Sequence, residues 1–200
     1  MTINGVKKTV VSAGQAVRIF ANGRFGWEKS PTFDRSMEVS DWTGLRTAVT
    51  AVAVGENVEI IVLNSFEAIA PNPNVITIAA GREITLRSAG NNAFELRQIT
   101  TNQRHFTNNG TLRLRNIVLT GDYPDIMSNH GGIQNNAAGT MLIESGAVIK
   151  RCRNGGSGQG GAILNSGGTV ILNGGDIREN SVYTAALHDQ GTAIAGNGHA

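Results

Sequence analysis

The sequence predicts an all-β chain wound into a parallel β-solenoid, and two observations carry that reading. From Arg104 onward the chain repeats itself. Arg104-His105-Phe106-Thr107-Asn108-Asn109-Gly110-Thr111, Gly131-Gly132-Ile133-Gln134-Asn135-Asn136 and Gly160-Gly161-Ala162-Ile163-Leu164-Asn165 lie over one another, and each leads into Gly-Thr and an alternating run. Thr111, Thr140 and Thr169 then come into register at a step of about 29 residues, a repeat-protein period. Within each unit the apolar residues alternate, as in Leu112-Arg113-Leu114 and Met141-Leu142-Ile143. No unit holds an amphipathic run long enough for the paired helices of an ankyrin or tetratricopeptide repeat.

The register defines the expected core. Leu112, Met141 and Val170 form one apolar column, Leu114, Ile143 and Leu172 a second, and Leu119, Val148 and Ile177 a third. A single coil cannot bury its own apolar face, so coils stack at about 4.8 Å and share one interior. Gly and Asn stand between the strands, where they accept positive φ at least cost and let the chain turn corners.

Residues 1–40 do not fit the repeat and read as a separate N-terminal β element. Val6–Val11 and Ala16–Phe20 are expected as two strands joined through Ser12-Ala13-Gly14-Gln15. Phe25, Trp27 and Phe33 follow, either as aromatic anchors for attachment or packed under the first coil. Over residues 41–54 the period changes: Asp41 is a helix N-cap, and Trp42, Leu45, Val49 and Val52 share one face. Such a helix covers the open end of a β stack and blocks edge pairing. The solenoid with this cap spans 41–200, its first strands falling at Val58–Leu63, Val75–Ile78 and Ile84–Leu86 with Pro71 and Pro73 at a corner.

Gly160-Gly161-Ala162-Ile163, Asn165, Gly168-Thr169-Val170-Ile171-Leu172-Asn173-Gly174-Gly175-Asp176-Ile177 and Asn180 resemble the repeat of right-handed parallel β-helix proteins of bacterial surfaces, the adhesin-like and autotransporter-like group. Asp41-Trp42-Thr43-Gly44-Leu45 with Val58–Leu63 is similar to their lead-in segment, so the resemblance covers roughly residues 41–200. It implies a right-handed coil and a place outside the cell. It leaves function open, because the scaffold carries lyases, hydrolases, adhesins and phage tailspikes alike.

Composition fits thin stacked layers: 26 Gly in 200 residues, 16% charged and 5% aromatic. Lys+Arg 17 against Asp+Glu 15 leaves +2, too near neutral to imply nucleic acid or an anionic membrane as partner. No apolar run is long enough to span a bilayer. Met1–Phe20 carries Lys7 and Lys8, but Ser12, Gly14, Gln15 and Arg18 interrupt any apolar signal core, so no secretion signal is read there. Cys152 is the single cysteine and is expected as a buried small apolar side chain.

Several residues are candidates for interaction. Thr85 is expected to join Thr111, Thr140 and Thr169 in an outward column, with Arg87, Arg113, Leu142 and Ile171 two positions on. Six Arg between Arg82 and Arg115, Arg115 included, face only Glu83 and Glu95 in that stretch, a local +4 that an acidic glycan or neighbouring subunit could use. A threonine array also suggests ice binding, but the second column is not threonine. Asn108, Asn136 and Asn165 are expected to stack as a structural ladder at one corner.

Signals for chemistry are weak. Gly156-Ser157-Gly158-Gln159-Gly160-Gly161 matches a dinucleotide fingerprint, but a strand, Ala162-Ile163-Leu164-Asn165, follows where a helix is required. Neither calcium nor zinc spacing is present, and no cofactor or metal is expected. Asp122, Asp125, Glu144, Asp176, Glu179 and Asp189 are isolated acids apart from the pair Asp176 and Glu179, whereas glycoside hydrolysis needs two carboxylates at a set separation. The sequence therefore predicts a non-enzymatic rod of about four or five coils acting in adhesion, display or assembly, on a cell surface or in a virion. Gly191-Thr192-Ala193-Ile194 begins another coil, and the C-terminal edge and N-terminal element are the expected sites of self-association.

Overall fold

The computed structural model describes residues 2–3, 6–7, 15–19, 25–29, 32–68, 75–125, 129–155, 160–183 and 194–196, and the chain divides after Phe33 into two compact units. In the first unit Thr2–Ile3 pairs antiparallel with Val6–Lys7, and Gln15–Ile19 with Phe25–Lys29. The expected hairpin of Val6–Val11 with Ala16–Phe20 is thus replaced by one in which Val17 faces Trp27. Asn22-Gly23 between those strands is a stronger hairpin signal than Ser12-Ala13-Gly14-Gln15. The aromatic anchors Phe25 and Trp27 lie outside the residues whose side chains are described.

The second unit is a parallel β-solenoid. After the first strand and the helix that follows it, the circuits lay one strand on each of three sheets, with Arg153–Gly155 and Ser181–Tyr183 forming a further pair, and the strands of successive circuits pair in parallel. The first sheet holds Arg35–Val39, Asn57–Val62, Glu83–Ser88, Thr111–Arg115, Thr140–Glu144 and Thr169–Asn173. The second runs from Phe66–Glu67 through Phe94–Arg97, Ile117–Thr120 and Val148–Lys150 to Asp176–Arg178. The third runs from Ile76–Ile78 through Phe106–Asn108, Ile133–Asn136 and Ile163–Ser166 to Ile194–Gly196. Arg35–Val39 pairs with Asn57–Val62, so the solenoid begins at Asp34 and takes in residues that the sequence grouped with the N-terminal element.

Alternation sets what is buried. Along Asn57–Val62, Val58, Ile60 and Val62 are buried and the residues between them are not. The columns Leu112/Met141/Val170 and Leu114/Ile143/Leu172 form as expected. The third is shifted by one residue: Leu119 stacks on Ile149 and Ile177, while Val148 sits between Val118 and Asp176. Side chains alternate across a strand, so a slip of one exchanges the buried and half-buried member of a pair. Ile149 is accordingly buried and Val148 is not.

The Gly-Thr step of the repeat has a steric cause. A Cβ on Gly110 would lie 2.5 Å from both Ala79 O and Arg82 O, since the backbone here rests on the coil below. The amides of Thr111, Thr140 and Thr169 then donate down the stack to Arg82 O, Gly110 O and Gly139 O at 2.8–2.9 Å.

The helix Trp42–Ala51 forms inside the expected span. The Asp41 carboxylate caps it, accepting from Gly44 N at 2.7 Å. Trp42, Leu45, Ala48 and Val49 bury its inner face, and Trp42 meets the Phe66 ring edge-on at 6.3 Å. At its other end Arg82 Nη1 donates to Val49 O and Thr50 O at 3.1 Å, and Arg35 Nη2 to Ala51 O at 2.7 Å. These two guanidinium groups occupy carbonyls that a helix C-terminus leaves without intrahelical partners. No helix among the described residues is long and apolar enough to cross a membrane. Pro71 and Pro73, with the corner expected there, lie outside the described residues.

Candidate functional site

The outer face of the first sheet carries the residues singled out for interaction. Thr111, Thr140 and Thr169 stack there as expected. Thr85 does not join them. Glu83 lies beneath Thr111, and Thr85 lies beneath Arg113, because this coil is two residues longer than the alignment of threonines assumed. A slip of two keeps the face but changes the column. The second column is therefore Glu59, Thr85, Arg113, Leu142 and Ile171, and Arg87 moves to the third, beside Arg115, Glu144 and Asn173. Thr85 is also only 1% exposed. Its neighbours Glu59, Glu83, Arg87 and Arg113 close over it as two ion pairs.

Four of the six arginines in the expected basic patch, Arg87, Arg97, Arg113 and Arg115, are ion-paired. Arg87 Nε lies 2.6 Å from Glu59, Arg113 contacts Glu83 at 3.1 Å and Glu144 at 3.5 Å, and Arg115 Nη2 reaches Glu144 at 2.7 Å. Arg97 pairs with Asp122 at 2.7 Å, and Arg82 serves the helix carbonyls. Counting charge between Arg82 and Arg115 took in Glu83 but missed Glu59, Asp122 and Glu144, which stacking brings from other coils 25 to 31 residues away. The face thus changes along the stack from interlocked charge at Glu59 and Arg87 to apolar Ile171, which is 43% exposed. Leu172, which points toward the interior column, is 54% exposed because Thr169–Asn173 is the sheet's last strand.

Asn108 and Asn165 join the amide ladder as expected, but its middle member is Asn135 and not Asn136. Asn108 Nδ2 donates to Asn135 Oδ1 at 2.7 Å, and Asn135 Nδ2 to Asn165 Oδ1 at 2.9 Å. Asn136 points the other way and donates to Asn109 Oδ1 at 2.8 Å. Asn108 and Asn135 are fully buried above Ile78, the one large apolar member of a column that continues to Asn165 and Gly196.

The sequence did not single out the corner between the second and third sheets. Arg104 is 8% exposed and lines a polar cleft of about 360 Å³ with Asn102, Thr107, Asn129, Gln134 and Asn154. Its guanidinium donates from Nη1 and Nη2 to Gly160 O, both at 3.2 Å, and burial lowers its pKa to about 10, which leaves it charged at neutral pH. Behind it lie His105, His130 and Cys152, all fully buried. His105 Nε2 donates to Leu96 O at 3.0 Å, its Nδ1 is buried with no partner, and burial pushes its pKa down to about 4. His130 Nε2 accepts from Asp122 N at 2.6 Å. Burial pushes the Cys152 thiol up to about 12, and Sγ donates to Lys150 O at 3.3 Å, which makes it a packing group and not a nucleophile.

The acids stand with arginines. Asp122 contacts Arg97 and Arg151, Asp125 contacts Arg151, and Arg178 bridges Asp176 at 2.9 Å and Glu179 at 2.5 Å. Among the described residues no group of three or more His, Cys, Asp or Glu is placed to hold a metal ion. Residues 156–159 of the glycine-rich motif and Asp189 lie outside the described residues, and Ile163–Ser166 after the motif is a strand. Comparison with family models, with curated proteins and with solved structures gave no match.

Proposed function

We propose that this chain is a non-catalytic structural and adhesive β-helix, displayed on a bacterial cell surface or built into a larger assembly such as a virion or filament, and that it associates end to end. One observation carries the reading: among the described residues Thr169–Asn173 is the end strand of its sheet, with Ile171 and Leu172 43% and 54% exposed. A strand edge with apolar side chains on both faces is a template for another strand. The occupant that fits is a second copy. The opposite edge of the same sheet is Arg35–Val39, parallel to the other strands of that sheet, so one copy's last strand laid on another's first would continue this one sheet in the same sense, while the helix Trp42–Ala51 stands where the other two sheets would continue. Such a contact is heterologous and propagates without closing. The ion pairs between coils and the buried amide ladder support a stiff shaft, on which weak surface contacts add at little ordering cost.

Light scattering of the 200-residue chain over a range of concentrations tests the proposal, with Leu172→Lys beside it. The expected result is mass rising above 21.0 kDa with concentration in the unaltered chain and a monomer in the variant. A monomer in both would overturn end-to-end association.

A further inference from the structure

We infer that the cleft beside Arg104 binds a carboxylate carried on a hydroxylated skeleton. The charge of Arg104 is the first argument. Arg35, Arg87, Arg97, Arg113, Arg115, Arg151 and Arg178 each meet a carboxylate and are more exposed than Arg104, and Arg82, half-buried, meets the carbonyls at the helix end. Arg104, nine-tenths buried, makes no ion pair among the described residues; its contacts are the carbonyls of Gly160 and Ile133. Carbonyls fix the plane of a guanidinium but do not cancel its charge, and an uncompensated buried charge costs several kcal/mol. Of its five N–H donors those contacts leave Nε–H and one Nη2–H over, and a planar two-oxygen anion is the partner that such donors recognise.

The lining supplies the second argument. Asn102, Asn129, Gln134 and Asn154 are amides and Thr107 is a hydroxyl, each able both to donate and to accept, as hydroxyl groups require. Among the described residues no aromatic ring lines the cleft, so none of them would stack a nucleobase. A single cation suits one carboxylate better than a polyphosphate. The volume of about 360 Å³ falls at the small end of ligand sites. Binding here does not depend on end-to-end association, because the cleft belongs to one chain.

The test is calorimetric titration of the 200-residue chain, and separately of Leu172→Lys, with D-gluconate, D-glucuronate, D-glucose and acetate. At least one of the two hydroxy acids is expected to bind with Kd below about 10 mM and at least tenfold tighter than glucose or acetate. Preference for gluconate would identify a free hydroxy acid, and preference for glucuronate an acidic sugar residue. Arg104→Met should weaken that binding at least about tenfold, and Gln134→Ala about threefold while keeping the charge. Should Arg104→Met fold poorly by circular dichroism, Arg104→Lys, which keeps charge but loses the fork, takes its place. No saturation with either acid, equal binding of glucose or acetate, or undiminished binding in the folded Arg104 variant would overturn the site.

Discussion

Asn108 and Asn135 meet side chain to side chain, Nδ2 to Oδ1 at 2.7 Å, with neither residue exposed to solvent. Asn135 passes the contact on to Asn165 and also donates to Gly139 O and Thr169 O at 3.2 Å, tying the ladder to the Gly-Thr step. A buried amide is costly unless its donors and acceptor are all used. Here the stacking supplies the partners, and the amides in turn hold the coils in register.

Asn135→Ala should therefore cost on the order of 3 kcal/mol, since it leaves Asn108 and two carbonyls short of partners. Asn136→Ala removes half-buried contacts to Asn109 and Gln134 and should cost below about 1 kcal/mol. Urea unfolding at unchanged m-value measures both. Equal losses would mean that the two amides share the work.

Gly110 and Gly90 separate two reasons for glycine. At Gly110 an added Cβ meets two backbone oxygens at 2.5 Å, whereas at Gly90 the space is open and only φ of +60° disfavours a side chain. Gly90→Ala should cost roughly 1 kcal/mol. Gly110→Ala must push neighbouring coils apart and should cost about 3 kcal/mol or prevent folding. A smaller loss at Gly110 than at Gly90 would contradict this account of the Gly-Thr repeat.

The solenoid was legible in the sequence because its cause is local. The alternation of Leu112-Arg113-Leu114 and the recurring Gly-Thr are written into each unit. What was not legible depends on coil length. The step from Glu83 to Thr111 is 28 residues, against 26 before it and 29 after it, and a repeat that varies by three residues hides the true column. The choice of Asn136 over Asn135 fails for a similar reason: two adjacent asparagines look alike in sequence, and only the parity of the strand decides which enters the core. The Arg104 cleft was not legible, since its lining comes from separate coils and Arg104 reads in sequence only as one of six arginines on an expected basic surface.

The outer face offers a direct test of charge pairing. Changing Glu59, Glu83 and Glu144 together to Gln frees Arg87, Arg113 and Arg115 without altering shape. The unaltered chain should pass a heparin column at low salt, and the triple variant should be retained and released as salt rises. Because the pairs are partly exposed, the stability lost should be no more than about 1 kcal/mol per pair. Retention of the unaltered chain would restore the basic surface that the sequence alone suggested.

His105 should make the protein sensitive to mild acid. Its folded pKa, about 4, lies below the ordinary 6.5 because burial disfavours the imidazolium. The unfolded chain therefore binds the proton first as pH falls. Stability from this residue is complete above about pH 6.5 and is lost progressively as the pH drops toward 4, in total on the order of 3 kcal/mol. Arg35 holds the Glu56 carboxyl below the usual carboxylate range, so its loss falls at lower pH, and comparison with a variant lacking the ring isolates His105 from the other titrating groups. Urea unfolding across that window should give a stability that falls with pH in the unaltered chain and a flatter profile in His105→Leu, whatever the variant's absolute stability. Parallel profiles would show that His105 accepts its proton in the folded state, and would place water or another partner at Nδ1.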